Sequence, residues 1–171
     1  AGMRCLAASA ALVTRATLAL LLLSAPGGCA GHSLYADPSD VVEFVPDQFN
    51  GTILNGNVSW IVVYYADWCG HCVHYAPIYK RMAAELKGDT RVKLGALNCA
   101  EHGTFCSEIG IKGFPTCRAY RFASMKGLKG DGTKEGVDVP RKEMHNEKEF
   151  PAWIRAQLPP LPPPPPPAEP Q

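Results

Sequence analysis

The 171-residue chain has no surplus of charge of either sign: 17 Lys and Arg face 16 Asp and Glu, a formal net charge of +1 at pH 7, and no long basic run breaks the balance. A nucleic-acid partner needs a concentrated positive footprint, so that class is excluded. Long apolar runs are missing as well. The stretch from Ala16 to Ala25 is ten residues, about half of the ~20 that a spanning helix needs, so no membrane span is expected. No internal repeat is visible, which sets aside solenoids and propellers. A chain of this length builds one globular core rather than two. What it has in excess is cysteine, with seven residues, and proline, with sixteen.

Residues 1–30 carry Arg4 and Arg15, no acid, the leucine-rich stretch Leu18 to Leu23, and small residues at Gly28, Cys29 and Ala30. A basic start, a short apolar segment and a small-residue end read as a secretory signal peptide, with cleavage expected after Ala30 or Gly31. Its loss turns the net charge to −1 and removes Cys5 and Cys29. At the other end, Pro159, Pro160 and the run Pro162 to Pro167 fix φ and remove backbone donors. Residues 159–171 are read as a proline-rich tail, disordered or polyproline II, acting as a spacer or as a ligand for an SH3 or WW groove. The folded part is then residues 31–158.

Within it, apolar strand-like runs alternate with helical patterns, the mark of an α/β architecture. Val41 to Val45 is a short candidate strand, and Asp47 is placed to cap a helix ending near Asn55 and Gly56. Trp60 to Tyr65 is β-branched and aromatic with no polar alternation, and predicts an inner strand buried on both faces. Beyond Cys69, the residues Tyr75, Ala76, Tyr79, Met82, Ala83 and Leu86 recur at helical spacing, with Gly88 as the stop. Pro77 falls inside that helix and predicts a kink near Val73. Arg91 to Leu97 predicts a strand and Phe105 to Ile109 a short helix. Pro115 to Phe122 and Val137 to Val139 predict a hairpin across the glycine-rich stretch Gly127 to Gly132. Glu147 to Leu158 supplies the last helix, with Phe150, Ile154 and Leu158 on one side.

The chemistry concentrates at Trp68-Cys69-Gly70-His71-Cys72, where a buried strand hands over to a helix. A thiol at a helix N-terminus faces unpaired N–H groups and the positive end of the macrodipole, both of which favour thiolate over thiol. Cys69 is therefore the expected attacking sulfur. Two intervening residues keep Cys72 within bonding reach but deeper, as the resolving sulfur. His71 stabilises the reduced form beside the thiolate and makes the disulfide a better oxidant. A zinc knuckle is the competing reading of a CxxC, with His74, Cys99, His102 and Cys106 as further ligands. Structural zinc sites pair two knuckles or add a regular histidine spacing, and no second knuckle is present, so no metal is expected.

Gly113-Phe114-Pro115-Thr116 is the second marker. A cis peptide at Pro115 would turn the Phe114 backbone toward the cysteines and let Phe114, Pro115 and Thr116 receive an extended client peptide. Together, Tyr65-Ala66-Asp67-Trp68-Cys69-Gly70-His71-Cys72 and Gly113-Phe114-Pro115-Thr116 resemble the thioredoxin-fold domains of the protein disulfide isomerase class. Asn98-Cys99-Ala100-Glu101, Cys106 and Ile111, with the Leu34-Tyr35 and Ser39-Asp40 opening, are similar to the first thioredoxin domain of quiescin-type flavin-linked sulfhydryl oxidases. The likeness covers about Ser33 to Leu158. It implies a thioredoxin fold, a central mixed sheet flanked by helices in a single domain. It also implies that the domain takes electrons from reduced client proteins with cysteine thiols and passes them to a separate flavin-bearing module. FAD is the cofactor of that full-length family. No cofactor is expected on this chain, nor oxygen-dependent turnover from these residues alone.

The chain departs from the wider family where a buried acid usually stands five residues before the tryptophan; that position is Val63. Asp67 or Glu101 could substitute, and Arg118, Arg121 and Arg141 are candidates for an arginine near the site. Cys99 and Cys106 read as a structural disulfide, or as a second redox relay. Cys117 reads as a buried inert thiol, or as an intermolecular partner. Asn50-Gly51-Thr52 and Asn57-Val58-Ser59 are glycosylation sequons suited to a luminal chain, placing Asn50 and Asn57 as candidates. Two functions follow: a thiol–disulfide oxidoreductase of the endoplasmic reticulum, Golgi or extracellular space, or a noncatalytic client-binding or adaptor module of the same class. An intact Cys69 and Cys72 pair favours the first.

Overall fold

A computed structural model describes residues 33–36, 38–122 and 136–160. The expected signal peptide, most of the proline tail and the glycine-rich stretch lie outside the described residues.

Five strands form one mixed sheet in the order β1-β3-β2-β4-β5: β1 (Val42–Glu43), β2 (Ser59–Tyr65), β3 (Val92–Asn98), β4 (Thr116–Tyr120) and β5 (Val137–Asp138). The β1, β3 and β2 strands run parallel, with Val62 opposite Gly95 and Val63 opposite Ala96. The β4 strand is antiparallel to β2, with Val63 opposite Cys117, and β5 pairs antiparallel with β4.

Every residue of β2 is buried because the strand is covered on both faces, which explains its lack of polar alternation. Ile61, Val63 and Tyr65 face one core, with Tyr79, Met82 and Leu86 of the helix α2 (Gly70–Leu86) and Phe150 and Ile154 of α5 (Phe150–Gln157). Trp60, Val62 and Tyr64 face the other, with Phe44, Phe49, Ile53, Ile109 and Tyr120. Tyr79 locks helix to sheet: its hydroxyl donates to the Ile61 carbonyl at 2.8 Å. Gly95 is fixed by crowding, since a Cβ there would sit 2.7 Å from a Phe44 ring carbon.

The structure amends several sequence expectations. The cap of α1 (Pro46–Phe49) is Val45, not Asp47, because Pro46 takes the first helical position and leaves Asp47 inside the first turn. Gln48 closes the end instead, accepting from the Val45 N–H at 3.4 Å and donating its own N–H to the Val45 carbonyl at 3.0 Å. The chain then widens into a π-helical turn, Asn50–Leu54. The α2 helix continues through Pro77, whose missing N–H leaves the Val73 carbonyl without its helical donor. The α3 helix spans Gly103–Glu108. A short α4 (Arg141–Met144) was not foreseen; it precedes α5, which starts at Phe150 rather than Glu147.

Candidate active site

The end of β2 and the start of α2 place the two cysteines. Ala66 leaves the sheet and its carbonyl accepts the Cys69 N–H at 3.1 Å; Cys69 then stands as the helix N-cap with extended backbone, and its carbonyl accepts the Val73 N–H at 3.0 Å. No side chain caps this helix end, so the first-turn amides are left to face whatever Cys69 carries. Cys69 and Cys72 both bear free thiols; Cys69 is half-buried and Cys72 buried. Burial pushes the Cys72 thiol up to about 12, offset in part by the Ala66 backbone and reinforced by Cys69. His71 is exposed on the outer side of the first turn.

The Phe114–Pro115 peptide bond is cis. This loop lies across from the helix start, and the Cys69 thiol donates to the Phe114 carbonyl at 3.8 Å. Trp68 is 72% exposed, and its ring meets Phe114 edge-on with centroids 6.2 Å apart. Asp67 accepts the Trp68 N–H at 2.9 Å and so holds the approach to Cys69. Thr116 turns its hydroxyl back to the Gly113 carbonyl at 2.8 Å, bracing the loop. The residues singled out from the sequence, Trp68, Cys69, His71, Cys72, Phe114, Pro115 and Thr116, thus lie on two segments that meet at one surface.

The other candidates fall elsewhere. Cys99 and Cys106 are joined in a disulfide with Cα atoms 5.8 Å apart, buried in the core on the Phe49 side of the sheet. That bond removes two of the four supplementary ligands considered for zinc, and among the described residues no group of three or more His, Cys, Asp or Glu could hold a metal ion. Cys117 is buried on β4 with its thiol pushed up to about 12 by burial, 3.6 Å from the Tyr75 hydroxyl. Val63 is fully buried. Neither proposed substitute acid is free: Asp67 holds Trp68, and Glu101 accepts from Asn98 at 3.3 Å. Arg118 pairs with Asp138 at 2.7 Å and donates to the Ile109 carbonyl. Arg121 donates to the Leu54 carbonyl. Arg141 is the arginine that reaches the cis-proline loop, lining cavities with Pro115. His74, weighed from the sequence only as a zinc ligand, and His145, not singled out there, share one of those cavities with His71; His74 follows His71 by three residues on α2, and His145 ends a helix too short to show a period. Asn50 and Asn57 are both exposed.

The family model described as Thioredoxin matches residues 40–138. Protein disulfide-isomerase A6 of Mus musculus is 37% identical over 105 residues, 61% of this chain and 23% of its own length. Sulfhydryl oxidase 1 of Gallus gallus is 35% identical over 155 residues, 85% of this chain and 20% of its own. Among solved structures, the Trx4 domain of ERdj5 matches with a TM-score of 0.54 at 26% identity, covering 70% of this chain and 96% of that one. The chain spans about a fifth to a quarter of the length of the curated relatives it matches. By the extent of the family match and the placement of a cis-proline against a CxxC at a helix start, the chain belongs to the thioredoxin family and is a thioredoxin-fold protein related to the protein disulfide isomerases.

Proposed function

We propose that the chain is a thiol–disulfide oxidoreductase of the secretory pathway that oxidises client proteins through Cys69 and Cys72. The observation that carries this reading is the pairing of a half-buried Cys69 thiol at an uncapped helix N-terminus with the Phe114 carbonyl of the cis Phe114–Pro115 bond, 3.8 Å away. At the helix start Cys69 is the more exposed of the two sulfurs, which makes it the one a client reaches and the one that carries the mixed disulfide.

In the oxidising direction, a client thiolate attacks Cys69 of the Cys69–Cys72 disulfide, and Cys72 leaves and takes up a proton. The client strand, held along the Phe114 backbone, stays tethered by one mixed disulfide. Its second thiolate then attacks the client sulfur of that bond and displaces Cys69 as thiolate. Two electrons have passed to the cysteine pair and one disulfide has formed in the client. Residues 1–30 act as the signal peptide that brings the chain into the endoplasmic reticulum, the Golgi or the medium, where oxidising conditions keep the pair supplied. By likeness to sulfhydryl oxidase 1, a flavin-bearing module would be the onward electron acceptor.

The test is to incubate the oxidised protein with a reduced dithiol peptide and count thiols lost, beside Cys69→Ser. Loss with the parent protein and none with the variant is expected. Equal loss in both returns the domain to the noncatalytic, client-binding reading.

A further inference from the structure

Two cavities flank Pro115 and share Arg141 in their walls. The larger, about 480 Å³, includes Lys112 and Asp138, and the Asp138 carboxylate already holds Arg118 at 2.7 Å. The smaller, about 190 Å³, lies against the cysteine-bearing helix. His71 and His74 come to it from the first turns of α2, Arg141 from the start of α4 and His145 from its end, with Phe114 and Pro115 closing the side toward Cys69. Among the described residues, none that lines this smaller cavity is acidic. The His145 ring is set edge-on against buried Tyr75, with centroids 5.3 Å apart. Arg81, Arg91, Arg118 and Arg155 each pair with a carboxylate. Among the described residues Arg141 pairs with no carboxylate.

We propose that this smaller cavity is a subsite for one acidic side chain of the client, Asp or Glu, flanking the client cysteine. The inference rests on the reading above, in which the client strand runs along Phe114. Phe114 ties the two places together: its carbonyl is 3.8 Å from the Cys69 sulfur, and the residue itself lines the cavity. An extended strand advances about 3.3 Å per residue, so a side chain one or two positions from the client cysteine reaches the cavity while the cysteine addresses Cys69. The volume suits a single side chain and is well under the roughly 300 Å³ at which small-molecule pockets begin. A guanidinium offers a carboxylate two parallel N–H donors, and each imidazole carries at least one N–H. The larger cavity is the poorer anion site because Asp138 faces it.

The experiment uses the oxidised protein in single-turnover exchange with three reduced dithiol peptides that differ at one flanking position, Glu, Gln or Lys. The Glu peptide is expected to react about tenfold faster than the Gln peptide, the equivalent of one partly exposed charge-assisted hydrogen bond, and the Lys peptide slower than both. In Arg141→Gln the Glu-to-Gln ratio falls to about two or less, and in Arg141→Lys it is intermediate. Because Arg141 is exposed and each protein supplies its own ratio, a general change in rate cancels. A parallel titration uses thiol-free versions of the peptides, with serine for cysteine, and reads the imidazole resonances of His71, His74 and His145. Equal rates for Glu and Gln peptides overturn the subsite and leave the oxidoreductase intact. Imidazole shifts specific to the Glu peptide with no exchange in any peptide overturn the oxidoreductase and leave the subsite. Neither preference nor shifts removes the proposal.

Discussion

Replacing Cys117 by alanine is expected to flatten the alkaline limb of the stability profile. Burial on β4 between two covered faces pushes this thiol up to about 12, where an exposed thiol sits near 9, and the Tyr75 hydroxyl 3.6 Å away offsets only part of that. The sign follows from which state keeps the proton. Above pH 9 the unfolded chain has lost it and the folded chain has not, so the contribution is fully present below about pH 9 and is lost as the pH rises toward 12. The slope is about 1.4 kcal/mol per pH unit, and integration from pH 8 to pH 10 gives roughly 1.4 to 2 kcal/mol.

The assay is urea unfolding at pH 8, 9 and 10 with the Cys69–Cys72 pair oxidised, so that Cys72 does not titrate. The parent protein should lose roughly 1.4 to 2 kcal/mol more across this range than Cys117→Ala does. The cavity left by the missing sulfur shifts the whole curve of the variant without changing its slope, and the buried tyrosines are common to both proteins. With the pair reduced, Cys72 adds a thiol pushed up to about 12 to both proteins, so both curves steepen and the difference between parent and variant stays the same. Parallel curves for parent and variant would show that Cys117 ionises as freely when folded as when unfolded. The claim that burial keeps it out of exchange chemistry would then fail.

Three further outcomes follow from the same geometry. His71→Pro removes an exposed imidazole beside Cys69 and should move the pair from the isomerase range near about −180 mV toward the thioredoxin value near about −270 mV, a span of roughly 4 kcal/mol, read by equilibration against glutathione. Replacing both Cys99 and Cys106 by alanine opens an eight-residue loop and should cost about 2.5 kcal/mol in denaturant unfolding; a cost near zero would mean the bond constrains nothing that the core does not already hold. Release of a small thiol from a mixed disulfide on Cys69, driven by Cys72, should accelerate about tenfold per pH unit beyond pH 9, because the attacking thiol titrates near 12; a plateau at pH 9 would contradict the burial argument.

Much of the site was legible because its signals are short-range. A CxxC following an unbroken apolar strand implies a helix start, and helix starts favour thiolates, so Cys69 and Cys72 could be ranked before any contact was known. The pairing of those cysteines with Phe114 and Pro115 came from family likeness, since 45 residues of chain separate Cys69 from Phe114 and no periodicity spans that gap. Trp60 to Tyr65 announced burial on both faces by composition, and the alternation of its side chains into two cores follows from the strand period alone. Other features depend on tertiary partners. Val45 displaced Asp47 as cap because Pro46 is fitted for the first helical position. The α4 helix is four residues long, too short to show a period. His145 becomes a neighbour of His71 and His74 only once α4 is laid beside α2.

The replacement of a buried acid by Val63 bears on the fate of the mixed disulfide rather than on its formation. Once Cys69 holds a client, the complex can go forward by attack of the client's second thiolate, or back by attack of Cys72 on Cys69. The backward route needs Cys72 as thiolate, which burial of that sulfur disfavours. Among the described residues no carboxylate beneath the pair relieves this: Val63 and its partners Ala96 and Cys117 are buried, Glu43 accepts the Tyr65 hydroxyl at 2.7 Å, and Asp67 and Glu101 are engaged with Trp68 and Asn98. A client thiol in water carries no such burial penalty, so the larger thiolate fraction belongs to the client. In the proposed exchange this favours release of Cys69 by the client's second thiolate over attack by Cys72. A resolving thiol that is slow to take the bond back gives a tethered client time to bring its own second cysteine into line.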